Sequence, residues 1–278
     1  MTDIHSDVKD FYAKSLKPAD TAGACGCGPG APILAPDYGA EALASAPADA
    51  VTNSFGCGNP LAFAGVEAGQ TVLDLGCGAG LDLVLAAERV GAGGRVIGVD
   101  MSEDMLARAR ANVKRAGLAN VELHQAVIER LPLGDSSVDH VVSNCVINLS
   151  PDKPAVFAEI RRVLRPGGRM LVSDIVAEDL PGWVLENRDL YAACVSGAVS
   201  EAEYLSHVRE AGLEDARVVD RLTYEEAHLR GLLADLVPID LGAMAERLGT
   251  EREALVAFLA KELSGKVRSI KVAARRAA

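Results

Sequence analysis

The sequence predicts an α/β fold: a doubly wound, mostly parallel sheet of the nucleotide-binding kind. Three observations carry that expectation. An apolar run from Val72 to Leu75 passes directly into a glycine-rich turn, Gly76-Cys77-Gly78-Ala79-Gly80, and then into an apolar-periodic helix that begins at Leu81. About 20 residues on, Arg95-Val96-Ile97-Gly98-Val99-Asp100 reads as a second buried strand that ends in an acid. Strand and helix patterns then alternate as far as Ile175, which calls for parallel strands joined by right-handed helical crossovers.

Taken in order, the chain opens with an amphipathic helix over Ser6 to Leu16, whose Val8, Phe11, Tyr12 and Leu16 share one side and suit it to be a lid. From Lys17 to Pro36, Pro, Gly and Ala dominate around Cys25-Gly26-Cys27, and the stretch reads as a loop. Strands are expected at Thr71–Leu75, Arg95–Val99, Val121–Gln125, Val138–Asn144 and Arg169–Ile175, with helices at about 81–89, 103–116 and 153–163. Asp152 is the N-cap of the last helix, and Arg165-Pro166-Gly167-Gly168 turns the chain after it. Gly182 to Gly212 reads as two helices, the first carrying Trp183, Leu190, Tyr191 and Cys194. Ala216–Leu222 and Val267–Ala273 complete seven strands, and the segment between them, Tyr224 to Leu263, is helical with breaks at Pro238 and Gly249. The organisation expected is an N-terminal helix and Cys/Gly/Pro loop over 1–50, a ligand-binding core over 51–180, and helices with the last strands over 181–278.

Length and charge bound the function. The 278 residues suit one large domain or a domain with a modest extension, and an apolar content of 49% is enough for a substantial core. Acids outnumber bases by 39 to 28, which argues against a nucleic-acid surface, since phosphates demand a basic stripe. The opening Met1-Thr2-Asp3-Ile4-His5-Ser6-Asp7 is polar and acidic, and no run of 18 apolar residues appears, so no membrane partner and a cytoplasmic location are expected. Six cysteines in a reducing compartment read as free thiols, ligands or catalytic groups rather than as a disulfide framework. The five histidines have no ligand spacing and receive no role.

Gly76, Gly78 and Gly80 let the backbone turn sharply and approach a ligand closely, while Asp100 can accept hydrogen bonds from two ribose hydroxyls. Because an acid, Asp74, precedes the first glycine and the third arrives one residue early, D-L-G-C-G-A-G departs from the dinucleotide pattern G-x-G-x-x-G. It resembles the S-adenosylmethionine (AdoMet) site of class I methyltransferases. That resemblance implies a Rossmann-like seven-stranded sheet of order 3-2-1-4-5-7-6 with the last strand antiparallel, Asp74 near the methionine end of the cofactor and Asp100 at its ribose. Ile128 and Glu129 occupy the place of the adenine contacts, and Met101 and Asn144 complete the candidate cofactor positions.

Read alone, Cys77 is a small apolar filler of the turn, Cys57 an open thiol between Gly56 and Gly58, Cys145 a thiol at the end of a buried strand, and Cys194 a core cysteine. Phe55 to Pro60, Val72 to Gly80, Val96 to Ser102, Ser143 to Pro151, Pro166 to Gly168 with Val172-Ser173-Asp174-Ile175, and Cys194 to Ala198 together resemble arsenite methyltransferases. Of these, S-N-C-V-I-N-L-S is the specific motif. The resemblance implies arsenic ligation by Cys57, Cys145 and Cys194, with a further family cysteine matched by either Cys27 or Cys25. Thiolates suit the task because trivalent arsenic is a soft centre with three exchangeable oxygens and a lone pair. The expectation is therefore AdoMet-dependent methylation of arsenite or its thiol complexes, a detoxification, supported by a thiol reductant such as glutathione or thioredoxin. The alternative is a small-molecule carbon or oxygen methyltransferase of the quinone-biosynthesis kind, which needs no thiols; a third is an arsenic-sequestering protein, which needs no cofactor.

Overall fold

The computed structural model describes residues 4–16, 38–56, 58–60, 64–235 and 241–278. Seven strands form one sheet: β1 (Thr71–Leu75), β2 (Arg95–Asp100), β3 (Val121–Gln125), β4 (Val138–Asn144), β5 (Leu164–Ala177), β6 (Leu213–Thr223) and β7 (Val267–Arg276). Their order is β3-β2-β1-β4-β5-β7-β6, with β7 antiparallel to both neighbours and the pairs among β1 to β5 parallel. This is the class I methyltransferase sheet that the sequence led us to expect. β1 is buried along its full length, as a central parallel strand covered on both faces must be, and its one charged residue is Asp74.

Helices α1 (Ile4–Ser15), α2 (Ala40–Ser45) and α3 (Ala48–Thr52) precede the sheet; α4 (Leu81–Val90), α5 (Glu103–Arg115) and α6 (Lys153–Val163) are crossovers within it. α4 and α5 pack on one face with Leu83, Ala86, Leu106 and Ala109, whereas α6 brings Val156, Phe157 and Ile160 to the other. The helix ends follow local chemistry: Ser102 and Asp152 accept from the backbone N–H three residues on, at 3.4 and 3.1 Å, and so cap α5 and α6.

After β5 the chain forms α7 (Gly182–Leu185), α8 (Arg188–Ala192) and α9 (Glu201–Glu210), and α10 (Glu226–Asp235), α11 (Leu241–Leu248) and α12 (Arg252–Leu263) lie between β6 and β7. Three details differ from the sequence reading. Arg165 to Gly168 belongs to β5, which starts at Leu164 directly after α6, with Gly167 absorbing the bend at φ +78°. Gly182 to Gly212 holds three helices rather than two, because Asn187 and Cys194 to Ser200 interrupt the apolar run. The break at Gly249 is a left-handed turn (φ +64°), whereas Pro238 lies outside the described residues. Among the described residues no helix is long and apolar enough to cross a membrane.

Candidate active site

The glycine turn is built by close contacts. Where β1 ends, Gly76 takes φ +65°, and a Cβ there would run into the Val146 side chain, so a side chain is excluded twice. The N–H groups of Gly76 and Cys77 donate to the Val99 carbonyl at 2.8 and 3.1 Å, tying the turn to β2. Buried Asn112 holds it from beneath, its Nδ2 donating to the Ala79 carbonyl and to Asp49, both at 3.0 Å. Nothing stands where a Gly78 Cβ would project, so the backbone there faces open space.

That space is a cleft at the carboxyl ends of β1, β2 and β4, where a doubly wound sheet binds its ligands. Asp74, Gly76, Gly78, Gly80, Asp100, Met101, Ile128, Glu129 and Asn144 all line it, together with Cys145. α1 contributes His5, Val8, Lys9 and Tyr12, so the helix read as a lid forms one wall.

Three carboxylates give the cleft its electrostatic character. Burial pushes Asp74 well above the usual carboxylate range, and the negative Asp82 and Asp100 push it further; its Oδ2 is buried without a hydrogen-bond partner. Asp82 is pushed up to about 6 by burial, although hydrogen bonds from Tyr38 and Asn144 oppose the shift. Asp100 is raised by burial too, against the Ser102 and Gly78 N–H groups that donate to its Oδ1 and Oδ2 at 2.8 and 2.9 Å. Each acid therefore gains from a positive charge in the cleft, and each Asp100 oxygen keeps a lone pair for a ligand hydroxyl. The residues fit a ligand with a cationic end at Asp74 and Asp82 and a diol at Asp100.

Sequence reasoning missed several members of this wall. Tyr38, in a stretch without periodicity, donates to Asp82 at 2.8 Å and accepts from Asn144 Nδ2 at 2.9 Å. Asp82 itself was legible, since an acid in the first turn after the glycine turn faces the same crevice. Glu129 is drawn into the wall: its Oε1 lies 3.1 Å from His5 Nε2 and accepts from Ser150 Oγ at 2.5 Å. His5, to which no role was given, is thus a contact of the lid helix.

Cys145 follows β4 immediately, in left-handed backbone at φ +56°, with its N–H donating to the Ser173 carbonyl at 2.8 Å. Cys194 was expected on a helix; it lies in the turn after α8, at φ +63°. Side-chain-bearing residues adopt this conformation at a cost and cluster at functional sites when they do. Both cysteines are buried, and Cys194 Sγ donates to the Cys145 carbonyl at 3.2 Å. The approach is set by Gly197, whose Cβ would collide with the Asn148 carbonyl and the Tyr191 ring, and by Tyr191 Oη, which donates to the Leu149 carbonyl at 3.3 Å.

Burial, followed by the negative Asp174, pushes the Cys194 thiol up, while the Tyr12 hydroxyl and Lys153 oppose the shift; at neutral pH it keeps its proton until a soft ligand displaces it. Cys145 is disulfide-bonded, whereas Cys194 and the buried Cys77 are free. Cys25, Cys27 and Cys57 lie outside the described residues. Among the described residues no cluster of His, Cys, Asp and Glu has the makings of a metal site.

A methyltransferase domain family matches residues 66–212. The chain is 45% identical to an arsenite methyltransferase of Halobacterium salinarum over 185 residues, 66% of this chain and 47% of the relative. It is 34% identical to an arsenite methyltransferase of Aquipseudomonas alcaligenes over 257 residues, 90% of this chain and 69% of the relative. The chain belongs to the arsenite methyltransferase family. It spans from about half to just over two thirds of the length of these relatives. The crystal structure of an arsenic(III) S-adenosylmethionine methyltransferase from Chlamydomonas reinhardtii superposes with a TM-score of 0.63 at 33% identity, covering 86% of this chain and 72% of that one.

In this family member the cysteine pair is roofed by the helices whose sequence carried no functional reading. Val8 of α1, Leu229 of α10, Leu241 and Met244 of α11, and Leu255 and Leu259 of α12 form one buried cluster with Cys145 and Cys194. Beneath the pair, Lys153 Nζ donates to the Asn148 and Ser150 carbonyls at 3.4 and 3.3 Å, and Asn148 Nδ2 donates to the Ile175 carbonyl at 2.5 Å. Asp174, pushed up to about 7 by burial, accepts from the Ile175 N–H at 3.0 Å and from Tyr204 Oη at 3.2 Å. These bonds fix the turn after Cys145 on β5. Gly197→Ala is expected to force the Cys194 turn off that support, destabilising the fold by about 1–3 kcal/mol in urea denaturation. An unchanged midpoint would mean that the two turns do not depend on their close contact.

Proposed function

We propose that the chain transfers methyl groups from AdoMet to trivalent arsenic held by cysteine thiolates, converting arsenite to methylated arsenicals in an arsenic detoxification. The observation that supports this reading most is the meeting of two left-handed, buried cysteines, Cys194 Sγ on the Cys145 carbonyl, where the acidic cleft ends. A fold that needed only core packing there would have no reason to bear the backbone cost twice.

AdoMet, when bound, supplies an electrophilic methyl on a sulfonium. The chain supplies binding and orientation. Asp74 and Asp82 offer the unpaired acceptor and negative field that suit the ammonium and sulfonium charges; Asp100 accepts from the ribose hydroxyls, and Ile128 with Glu129 borders the adenine. Cys145, Cys194 and Cys57 replace the three oxygens of arsenite, each sulfur giving up its proton, and Cys27 or Cys25 helps to hand arsenic in. With three sulfurs on one side, the arsenic lone pair faces the cleft. That lone pair would form the bond to carbon while the donor's sulfonium leaves as a neutral thioether, so no base is needed at arsenic, and orientation of this kind is worth ~7–11 kcal/mol. Arsenic is thereby raised from the trivalent to the pentavalent level, and two of the cysteines closing to a disulfide supply the two electrons that return it. A thiol reductant such as glutathione or thioredoxin then restores the thiols.

The alternative, a carbon or oxygen methyltransferase of the quinone-biosynthesis kind, would use the same cleft. Nothing in its chemistry accounts for the paired thiols or for the apolar roof that α10 to α12 place over them.

Separation of arsenic species after incubation of reduced protein with AdoMet and arsenite tests the reading, and two variants dissect it. Asp100→Ala is expected to weaken AdoMet binding roughly 10- to 100-fold in calorimetric titration, the value of one to two hydrogen bonds to a charged group; arsenite binding should persist, and unchanged AdoMet affinity would remove Asp100 from the site. Arsenite offers three exchangeable positions and methylarsenite two, so Cys57→Ser is expected to abolish methylation of arsenite while sparing much of the activity on methylarsenite. Equal loss on both substrates would make Cys57 a structural or redox residue instead.

A further inference from the structure

Tyr12 stands where the cleft meets the cysteines, and nothing in the proposed chemistry called for it. Its ring sits edge-on to Phe55 and Phe11, with centroids 5.6 and 5.5 Å away, and Val8 one turn earlier on α1 is almost wholly buried in the cluster that holds Cys145 and Cys194. This packing fixes the direction of the hydroxyl. It donates to the Ala192 carbonyl at 3.3 Å, two residues before Cys194, and it opposes the upward push that burial gives the Cys194 thiol. Tyr12 and Cys145 line the cleft, and Cys194 lies just behind them.

The state of the sulfur decides what Tyr12 does. As a thiol, Cys194 donates to the Cys145 carbonyl, and the tyrosine hydroxyl is free to donate to Ala192. A sulfur that has exchanged its proton for arsenic has only lone pairs, and the Cys145 carbonyl, an acceptor, then repels it. The Lys153 ammonium is committed to two carbonyls, those of Asn148 and Ser150. The hydroxyl of Tyr12, on the cleft side and bonded two residues before Cys194, is a donor placed to turn to the sulfur.

We propose that Tyr12 is a positioning residue for Cys194: its hydroxyl turns from the Ala192 carbonyl to the Cys194 sulfur when that sulfur takes arsenic, and so directs it toward Cys145 and the methyl donor. The inference rests on the arsenic-methylating reading but has a readout of its own, the reactivity of Cys194. Tyr12→Phe keeps the ring and its packing and removes only the donor.

The test uses the full chain reduced with a phosphine, with AdoMet titrated calorimetrically, Cys194 alkylation by iodoacetamide followed by peptide mass spectrometry with Cys77 as the internal reference, and arsenite methylation measured at saturating AdoMet. Tyr12→Phe should bind AdoMet within about twofold of wild type, alkylate Cys194 roughly 10-fold more slowly relative to Cys77, and lose roughly 10-fold or more in arsenite kcat, the effect of one hydrogen bond to a charged sulfur. Cys194 alkylation at the wild-type rate would overturn the assignment, and so would a loss of activity matched by an equal loss of AdoMet affinity, which is the mark of a lid contact. A wild type that binds AdoMet without methylating arsenite would contradict the proposed activity, and alkylation would still decide the Tyr12–Cys194 contact.

Discussion

The proposed chemistry depends on one close approach: the turn that carries Cys194 rests on the turn that carries Cys145. Gly197 leaves no side chain between that turn and the Asn148 carbonyl, and Tyr191 ties it to Leu149. The Cys145 turn is fixed in its place by the end of β4, by the Ser173 and Ile175 carbonyls of β5, and by Lys153 at the start of α6. Two cysteines that are 49 residues apart in sequence thereby meet with both backbones in left-handed conformations. The sheet contributes rigidity, and the long-range hydrogen bonds pass it on to the two turns.

The two halves of the site differ in their physical character. The cleft side is acidic, with Asp74, Asp82 and Asp100 each displaced toward protonation by burial, and it suits a cationic, hydroxyl-bearing ligand. The cysteine side is apolar, roofed by α10 to α12, and suits a soft, neutral centre from which water is kept away. Asn144 and Cys145 are adjacent residues that belong one to each half: Asn144 is held among Tyr38, Asp82 and the Gly58 carbonyl, and Cys145 turns away to Cys194. The join between a hard site and a soft site is thus one peptide bond at the end of a central strand.

Much of this was legible in the sequence because it is encoded locally. The glycine turn, the acid ending β2, the Asp152 cap and the strand positions follow from runs of a few residues, and the 3-2-1-4-5-7-6 order followed from the resemblance that those runs carry. Cys145 was legible as a thiol at a strand end. What was not legible is what long-range packing decides. Tyr38 sits in a segment with no periodic signature and His5 one residue before the helix read from the sequence, yet they reach Asp82 and Glu129. Cys194 read as helical because Leu190 to Val195 is apolar, whereas the tertiary demand of Gly197 against Asn148 bends it out of the helix. The helices between β6 and β7 carried no motif at all, since their contribution is apolar cover.

The account's central claim is that Cys145 and Cys194 hold trivalent arsenic together at the mouth of the cleft. X-ray absorption at the arsenic edge, recorded on arsenite bound to the reduced full chain, counts the sulfur and oxygen neighbours directly. The account predicts an all-sulfur shell of three for the wild type, and the loss of two of those sulfurs in the Cys145→Ser, Cys194→Ser double variant. A double variant that retained the wild-type sulfur count would contradict it.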